Sequence, residues 1–108
     1  MKILITGGVS AQALKMLIAF ADDAIVLADY GDVPLFPTAK YQFISLGERN
    51  DDIIAHNLLN HCLNEAADAI LPLYAFEIAE IAKSAVLFEE FNIRVLLPET
   101  AQIIPLKK

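Results

Sequence analysis

The sequence is poor in several residue types, and each shortage excludes a class of protein. It has a single cysteine, Cys62, so no disulfide can form within the chain, which is typical of a reducing compartment. Its 8 lysines and arginines are scattered and are outnumbered by 14 aspartates and glutamates, which gives a formal net charge of −6. Nucleic acids and anionic membrane surfaces are bound by clusters of basic residues, so this pattern argues against both as partners.

Long apolar runs are missing as well. No run approaches the roughly 18 residues that a membrane-spanning helix requires. The paired glycines Gly7 and Gly8 interrupt the apolar stretch at the N-terminus, and no cleavage-site pattern of a signal peptide follows them. We therefore expect a cytoplasmic protein.

What the chain does contain is apolar residues in strand and helix patterns. With 56 % hydrophobic residues among 108, it can build the core of one domain. Short continuous apolar runs, typical of strands buried on both faces, alternate with segments of helical spacing. The second and third strands are joined by a segment with two prolines, residues 31–41, which predicts an ordered loop instead of a helix. The predicted strands are residues 3–5, 24–28, 42–46, 69–73 and 93–97.

This alternation predicts an α/β fold, a three-layer sandwich in which helices cover both faces of a five-stranded, mostly parallel sheet. The expected strand order is 3-2-1-4-5, that of half a dinucleotide-binding (Rossmann-like) fold. In such sheets a ligand lies beyond the carboxyl ends of the strands, where the strand order reverses, here between the first and fourth strands. The residues expected to meet there are Gly7, Gly8, Asp29, Pro72, Tyr74 and Glu77.

The first predicted strand, the glycine pair and the first helix form one unit. Ser10 is a candidate N-cap, and the apolar residues Ala13, Leu14, Leu17, Ile18 and Ala21 are expected to form the buried helix face. Free amides and the helix dipole at such a turn suit an anion. However, the dinucleotide fingerprint requires three glycines where this chain has Gly8, Ser10 and Ala13, and no Walker lysine follows. Two interpretations stay open: a turn that only allows close helix packing, or contact with an anionic or nucleotide ligand.

Asp29 also has two interpretations. It follows the second predicted strand, about 20 residues after the glycines, where a dinucleotide fold holds the ribose hydroxyls. The alternative is a carboxylate that caps the next loop. His56 and His61 are five residues apart and fall short of a zinc ligand set, so no metal site is predicted.

Two helices are predicted in the second half of the chain. Asn50, Asp51 and Asp52 are expected to cap the first of them and to supply acids to its first turn. The spacing of the apolar residues predicts the buried face of this first helix. The second is predicted as one continuous helix over residues 76–91, whose charged solvent face is formed by Glu77, Glu80 and Lys83. The residues expected on the first helix's buried face are Ile54, Leu58, Leu59, Cys62, Leu63 and Ala66.

Four stretches resemble a known family: KILITGGVSAQALKML, VLADY, ILPLYAFEIAEIAK and VLLPETAQIIPLKK. Together they resemble the N-terminal, pre-ATP-grasp domain of ATP-grasp carboxylate–amine ligases, the group related to the carbamoyl-phosphate synthase large subunit and biotin carboxylase. In that family the third stretch reads as a strand, a proline, a short gap and a glutamate that opens a helix; Pro72 and Glu77 match those positions here. Glu99 and Lys107 resemble the glutamate and lysine that lead into the ATP-grasp domain.

The resemblance implies one Rossmann-like domain over residues 1–108, with residues 99–108 similar to the start of an ATP-grasp domain. In the family this domain helps to bind the acceptor substrate and often forms a dimer surface, while ATP and magnesium bind mainly in later domains. The resemblance therefore implies no cofactor within this chain and no catalysis by it alone.

Three functions are compatible with these observations. The first is a non-catalytic module that forms a homodimer or docks on a partner ligase chain, as the mean hydropathy of +0.51 suggests. The second is the substrate-side part of an ATP-dependent ligase, which holds a small carboxylate or amino-acid-like ligand. The alternative is a small mononucleotide- or dinucleotide-binding protein. The predicted ligand-binding residues are Gly7, Gly8, Ser10, Asp29 and Glu77, and no catalytic residue is predicted.

Overall fold

The computed structural model describes residues 1–8, 10–20, 22–31, 41–98 and 103–104. Within them, five parallel strands form one sheet in the order β3-β2-β1-β4-β5. The predicted α/β fold class and strand order are thus confirmed. The strands are β1 Lys2–Ile5, β2 Ala24–Asp29, β3 Tyr41–Ser45, β4 Ala69–Leu71 and β5 Arg94–Val95.

β1 lies at the centre of the sheet, and its register explains why residues 3–5 are apolar. Ile3 pairs with Ile25 of β2 on one side and with Ala69 of β4 on the other. Successive β1 side chains then enter two different cores, because strand side chains alternate between the faces of a sheet. β4 and β5 are shorter than predicted, because pairing stops before the apolar runs end.

Helices cover both faces of the sheet. They are α1 Ala11–Ala19, α2 Ile54–Asn64, α3 Ala75–Lys83 and α4 Ala85–Glu90. Side chains of α2, α3 and α4, among them Leu58, Ile81 and Phe88, pack with Leu4 of β1 in one core. α1 packs on the opposite face, where Ala13 and Met16 contact the second core.

The predicted buried face of α1 is partly wrong. Leu14 and Ile18 are 54 % and 81 % exposed, whereas Met16 is buried with Ala13. The helix contacts the sheet through residues 13, 16, 17 and 20, a stripe turned by about one position from the predicted one. The cause is that α1 has apolar residues around most of its circumference, so periodicity alone does not select the face that is buried. Ala21 lies outside the described residues.

α2 begins later than its capping pattern indicates. Asn50 accepts a hydrogen bond from the Asp52 amide at 3.0 Å, which forms a turn before the helix. The helix itself starts at Ile54, follows an N-cap residue without a side-chain cap bond, and has no acid in its first turn. The buried face is as predicted at Ile54, Leu58, Leu59 and Cys62 but not at Leu63 and Ala66, which are exposed at the end of the helix.

The helix predicted over 76–91 is two helices. The break is at Ser84, whose amide bonds the carbonyl of Ile81 three residues earlier and so tightens the last turn of α3. Its predicted solvent face is confirmed for Glu80 and Lys83, which form an ion pair at 3.3 Å, but is wrong for Glu77, which is fully buried.

Two predicted features lie outside the described residues. They are the loop over residues 32–40 and the positions of Glu99 and Lys107. No helix in the described part of the chain has both the length and the apolar character needed to cross a membrane.

Candidate functional site

Three polar side chains are buried among the described residues, and all three lie at the carboxyl end of the sheet. They are Thr6, directly after β1; Asp29, the last residue of β2; and Glu77, in the first turn of α3. We call these residues, with Tyr30 and Tyr74, the strand-end cluster. It lies where the strand order reverses between β1 and β4, as the sequence predicted for the ligand site.

Thr6 ties the central strand to the start of α3. Its hydroxyl donates to Oε1 of Glu77 and accepts a hydrogen bond from the Leu73 amide at 2.8 Å. The Thr6 amide donates to the carbonyl of Leu71 and so extends the β1–β4 pairing. A residue with an apolar side chain at this position would leave the Leu73 amide without this partner and Glu77 Oε1 with only a long bond from the Tyr74 amide.

Glu77 is the hub of the strand-end cluster. Its Oε2 accepts a hydrogen bond from the Tyr30 hydroxyl at 2.7 Å, and its Oε1 receives a longer one, 3.4 Å, from the Tyr74 amide. Burial raises the pKa of Glu77 from its ordinary 4.5 to about 7, although the donors Thr6, Tyr30 and Tyr74 each act to lower the pKa. Glu77 is therefore a carboxyl group that gains and loses its proton near neutral pH.

Asp29 holds the second half of the cluster. Its Oδ1 accepts from the Tyr74 hydroxyl at 2.8 Å and from the Tyr30 amide at 2.8 Å. The pKa values of both tyrosines are raised, first by burial and then by the carboxylates that they contact, so both hydroxyls stay protonated and act as donors. Each carboxyl group thereby accepts the hydroxyl of one tyrosine: Glu77 that of Tyr30, and Asp29 that of Tyr74.

Three aromatic rings lie over this polar cluster. Tyr74 and Phe76 are stacked with centroids 5.3 Å apart, and Tyr30 is 6.1 Å from Tyr74 and 5.8 Å from Phe76. We call these three half-buried rings the aromatic rim. The guanidinium carbon of Arg49, from the loop after β3, lies 3.7 Å from the Phe76 centroid, a cation–π distance.

The glycine turn is bound mostly by the protein itself. The Gly8 amide donates to the Ala28 carbonyl at 2.9 Å, and the Ser10 amide donates to the Gly7 carbonyl at 2.9 Å. A Cβ on Gly8 would lie 3.0 Å from the Ala28 nitrogen and from Leu27 Cβ, so this glycine is required for close packing against β2. Ser10 is the N-cap of α1, as predicted, and accepts from the Ala13 amide at 3.2 Å. The Gly8 and Ser10 amides therefore have partners without any ligand.

Ile104 lies against the turn from the other side. A Cβ on Gly7, whose φ is +65°, would lie 2.9 Å from Ile104 Cδ1. Ile104 bridges to Tyr74, accepting from the Ala75 amide at 2.9 Å and donating to the Leu73 carbonyl at 2.7 Å. This contact covers the glycine turn and leaves the Tyr30 side of the strand-end cluster as the candidate ligand face.

The sequence predicted part of this site. Asp29, Tyr74 and Glu77 do lie together, next to Thr6 and so close to the glycine turn in the chain, as expected from strand order. Pro72 follows β4 at the same end of the sheet. Whether these residues bind a ligand stays a prediction. Sequence reasoning missed four further residues of the site. Two of them were predictable from position: Thr6 directly follows the first apolar run, and Tyr30 follows Asp29 at the end of the second. Nothing in the sequence pointed to Arg49 or Phe76.

The described residues offer neither a metal-ligand set nor a reactive thiol at the cluster. In the part of the chain that the structure describes, no three His, Cys, Asp or Glu side chains come together in a way that could hold a metal ion. Cys62 is buried in the α2 core, and burial raises the pKa of its thiol to about 12, so it is not a nucleophile at neutral pH. No protein-family model matches the chain, and no curated protein matches it.

Proposed function

We propose that this protein is a pre-ATP-grasp-like binding module. In this proposal the strand-end cluster and the aromatic rim hold a small carboxylate or amino-acid-like ligand, and the reaction on that ligand belongs to an ATP-grasp domain or chain. ATP and magnesium then bind to that partner, and this chain supplies binding and positioning. The proposal combines the family resemblance with the geometry of the cluster.

One observation carries the proposal: the glutamate that the resemblance selects, Glu77, is the hub of the strand-end cluster. An ionisable side chain is rarely fully buried, because removing its charge from water is costly. Here it is buried at the place where α/β sheets bind their ligands, with a pKa of about 7. Ionisable groups with strongly shifted pKa values occur often at functional sites.

The geometry weighs against the nucleotide alternative. A dinucleotide site requires amides at the glycine turn that point at phosphates and an acid that accepts the ribose hydroxyls. In this chain the Gly8 amide is bonded to Ala28, and Asp29 accepts the Tyr74 hydroxyl where a ribose hydroxyl would bind. A nucleotide would have to displace contacts that the protein already makes.

Self-association is the second part of the proposal. Leu14 and Ile18 lie one turn apart on α1 and are both largely exposed, although apolar side chains of this size are usually buried. Neighbouring exposed apolar side chains mark interaction surfaces in soluble proteins. We propose that this face of α1 pairs two copies of the chain.

Titration calorimetry on the whole chain tests the binding function. The probes are a panel of L-amino acids and short carboxylic acids, with NAD, NADP and ATP as the competing class. We expect heat from members of the first class. It should be weaker in a Glu77→Gln variant, because the glutamine amide nitrogen cannot accept the Tyr30 hydroxyl that Glu77 holds in place. It should be unchanged in Glu80→Gln, whose exposed side chain pairs with Lys83. Binding of a nucleotide with no binding of any acid or amino acid would contradict the proposal and favour the alternative.

A further inference from the structure

Arg49 is held at the aromatic rim from two sides. Its guanidinium carbon lies 3.7 Å from the Phe76 ring centroid, and its Nε donates to Asp51 Oδ1 at 2.6 Å. The side chain is still 40 % exposed. An arginine on the surface normally moves among many rotamers, and holding it in one of them costs conformational entropy. Two simultaneous contacts favour one rotamer of Arg49 before any ligand arrives.

The ends of the guanidinium group remain available. Among the described residues, Asp51 is the only hydrogen-bonding partner of Arg49, and that bond uses Nε. Both terminal nitrogens therefore keep their N–H groups, in the planar fork geometry that matches the two oxygens of a carboxylate. The ion pair with Asp51 neutralises the charge of Arg49 only in part, because both partners are in contact with water.

The aromatic rim supplies an apolar surface beside this fork. The hydroxyls of Tyr30 and Tyr74 bond to Glu77 and Asp29 in the interior, so the polar ends of both rings are already satisfied. All three residues of the aromatic rim are half-buried, so part of each remains in contact with solvent. An exposed cation next to stacked rings is suited to a ligand that has an acidic end and an apolar body.

We propose that Arg49 and the aromatic rim bind a small monocarboxylic acid, with the carboxylate on the terminal nitrogens of Arg49 and its apolar or aromatic body on the rings of Tyr30 and Phe76. This inference rests on the proposed function, because it names the ligand class of the same site. It adds a residue, Arg49, that neither the sequence pattern nor the family resemblance selects.

The surrounding charges favour a monoanion over a phosphate. Asp29 and Glu77 lie directly beneath the rim, and the whole chain carries a formal net charge of −6. A second negative charge on the ligand would be repelled by the same carboxyl groups.

The test measures affinity by calorimetry with three matched probes. They are 3-phenylpropionate, its neutral analogue 3-phenylpropionamide, and inorganic phosphate. On the wild-type chain we expect the acid to bind at least about tenfold more tightly than the amide, because a charge-assisted bidentate contact is lost. We expect phosphate to bind more weakly than the acid.

Variants then assign the effect to Arg49. Arg49→Gln should weaken 3-phenylpropionate binding about tenfold, and Arg49→Lys should also weaken it, because lysine keeps the charge but lacks the fork. Arg94→Gln is the control, since Arg94 is an exposed arginine at the start of β5, on the opposite edge of the sheet. The affinity of Arg94→Gln for 3-phenylpropionate should equal that of the wild type.

Three results would overturn the inference: equal affinity of the acid and the amide, tighter binding of phosphate, or unchanged affinity in Arg49→Gln. Each leaves the proposed strand-end site in place if other acids or amino acids still bind there in a Glu77-dependent way. Failure of every acid and amino acid to bind the wild-type chain would overturn both. The acid–amide comparison needs no variant and stands even if a substitution impairs folding.

Discussion

At the scale of single residues, Glu77 connects stability with the site. It is fully buried, yet Thr6 and Tyr30 satisfy its oxygens, and no buried side-chain N or O atom among the described residues lacks a partner. A buried network in which every group is bonded fixes one arrangement of its side chains. The site is therefore preformed, and the protonation state of Glu77 should affect the folding equilibrium directly.

The direction of this pH effect follows from the raised pKa. Below pH 4.5 the folded and unfolded states both carry the proton, and the stabilising contribution is fully present. Between 4.5 and about 7 the unfolded chain ionises while the folded chain keeps its proton, so unfolding becomes easier as the pH rises. By about pH 8 the loss amounts to about 3 kcal/mol, from a shift of about 2.5 pKa units.

Glu77→Gln should remove this pH dependence, because glutamine cannot ionise and still offers an oxygen to Thr6. Urea unfolding at about pH 4.5 and about pH 8 measures this effect. Between these pH values the free energy of unfolding of the wild type should fall by about 3 kcal/mol more than that of the variant. Glu80→Gln, which alters an exposed carboxyl group, is the control and should behave as the wild type. Equal pH dependence in wild type and Glu77→Gln would contradict the assignment.

At the scale of secondary-structure elements, the start of α1 shows what a local signal can predict. Ser10 was expected as an N-cap from its position after the glycines, and its hydroxyl does accept the Ala13 amide. This part was predictable because capping depends on residues that are close in sequence. The Asn50–Asp52 signal failed by contrast, since the Asn50 side chain caps a turn before the helix, which begins at Ile54.

Ser10→Ala should destabilise the protein by about 1 kcal/mol, the usual cost of losing an N-cap oxygen. Ser84→Ala is a matched control: Ser84 precedes α4 but makes no side-chain cap bond, so this substitution should change the free energy of unfolding by less than about 0.5 kcal/mol. Both values come from denaturant unfolding at one pH. A cost for Ser84→Ala as large as that for Ser10→Ala would show that capping by Ser10 is not the cause.

The buried faces of the helices were harder to predict than their positions. Periodicity located α1, but Leu14 and Ile18 are exposed while Met16 is buried. The face is chosen by packing on Ile3, Ile5 and their neighbours across the sheet, which a local pattern does not contain. Arg49 was missed for the same reason: only the folded sheet brings the loop after β3 next to Phe76 in α3.

At the scale of the whole molecule, the order of the strands was the most predictable property. Buried apolar runs alternating with helices permit few topologies, because crossovers between parallel strands are right-handed. That order alone predicts that Asp29, Tyr74 and Glu77 lie near one another. It does not determine which of their hydrogen bonds form, since these depend on side-chain packing at the sheet edge.

The exposed face of α1 leads to a prediction about assembly. We expect light scattering at micromolar concentration to give the mass of a dimer for the wild-type chain and of a monomer for Ile18→Glu, because burying a charge in an apolar interface is costly. Val86→Glu is the control, because Val86 is another largely exposed apolar residue, at 67 %, but lies on α4. A monomeric wild type, or equal dissociation of both variants, would contradict the assignment of the interface to α1.

The central claim is that the ligand site lies at the carboxyl ends of β1, β2 and β4. It is tested most directly by mapping amide chemical shifts in 1H–15N NMR spectra while the wild-type chain is titrated with the acid or amino acid that binds most tightly. The account predicts that the largest shifts cluster at residues 29–31, 49 and 74–77. Shifts concentrated at the amino ends of the strands or on α2, or no shifts with any acid or amino acid, would contradict it.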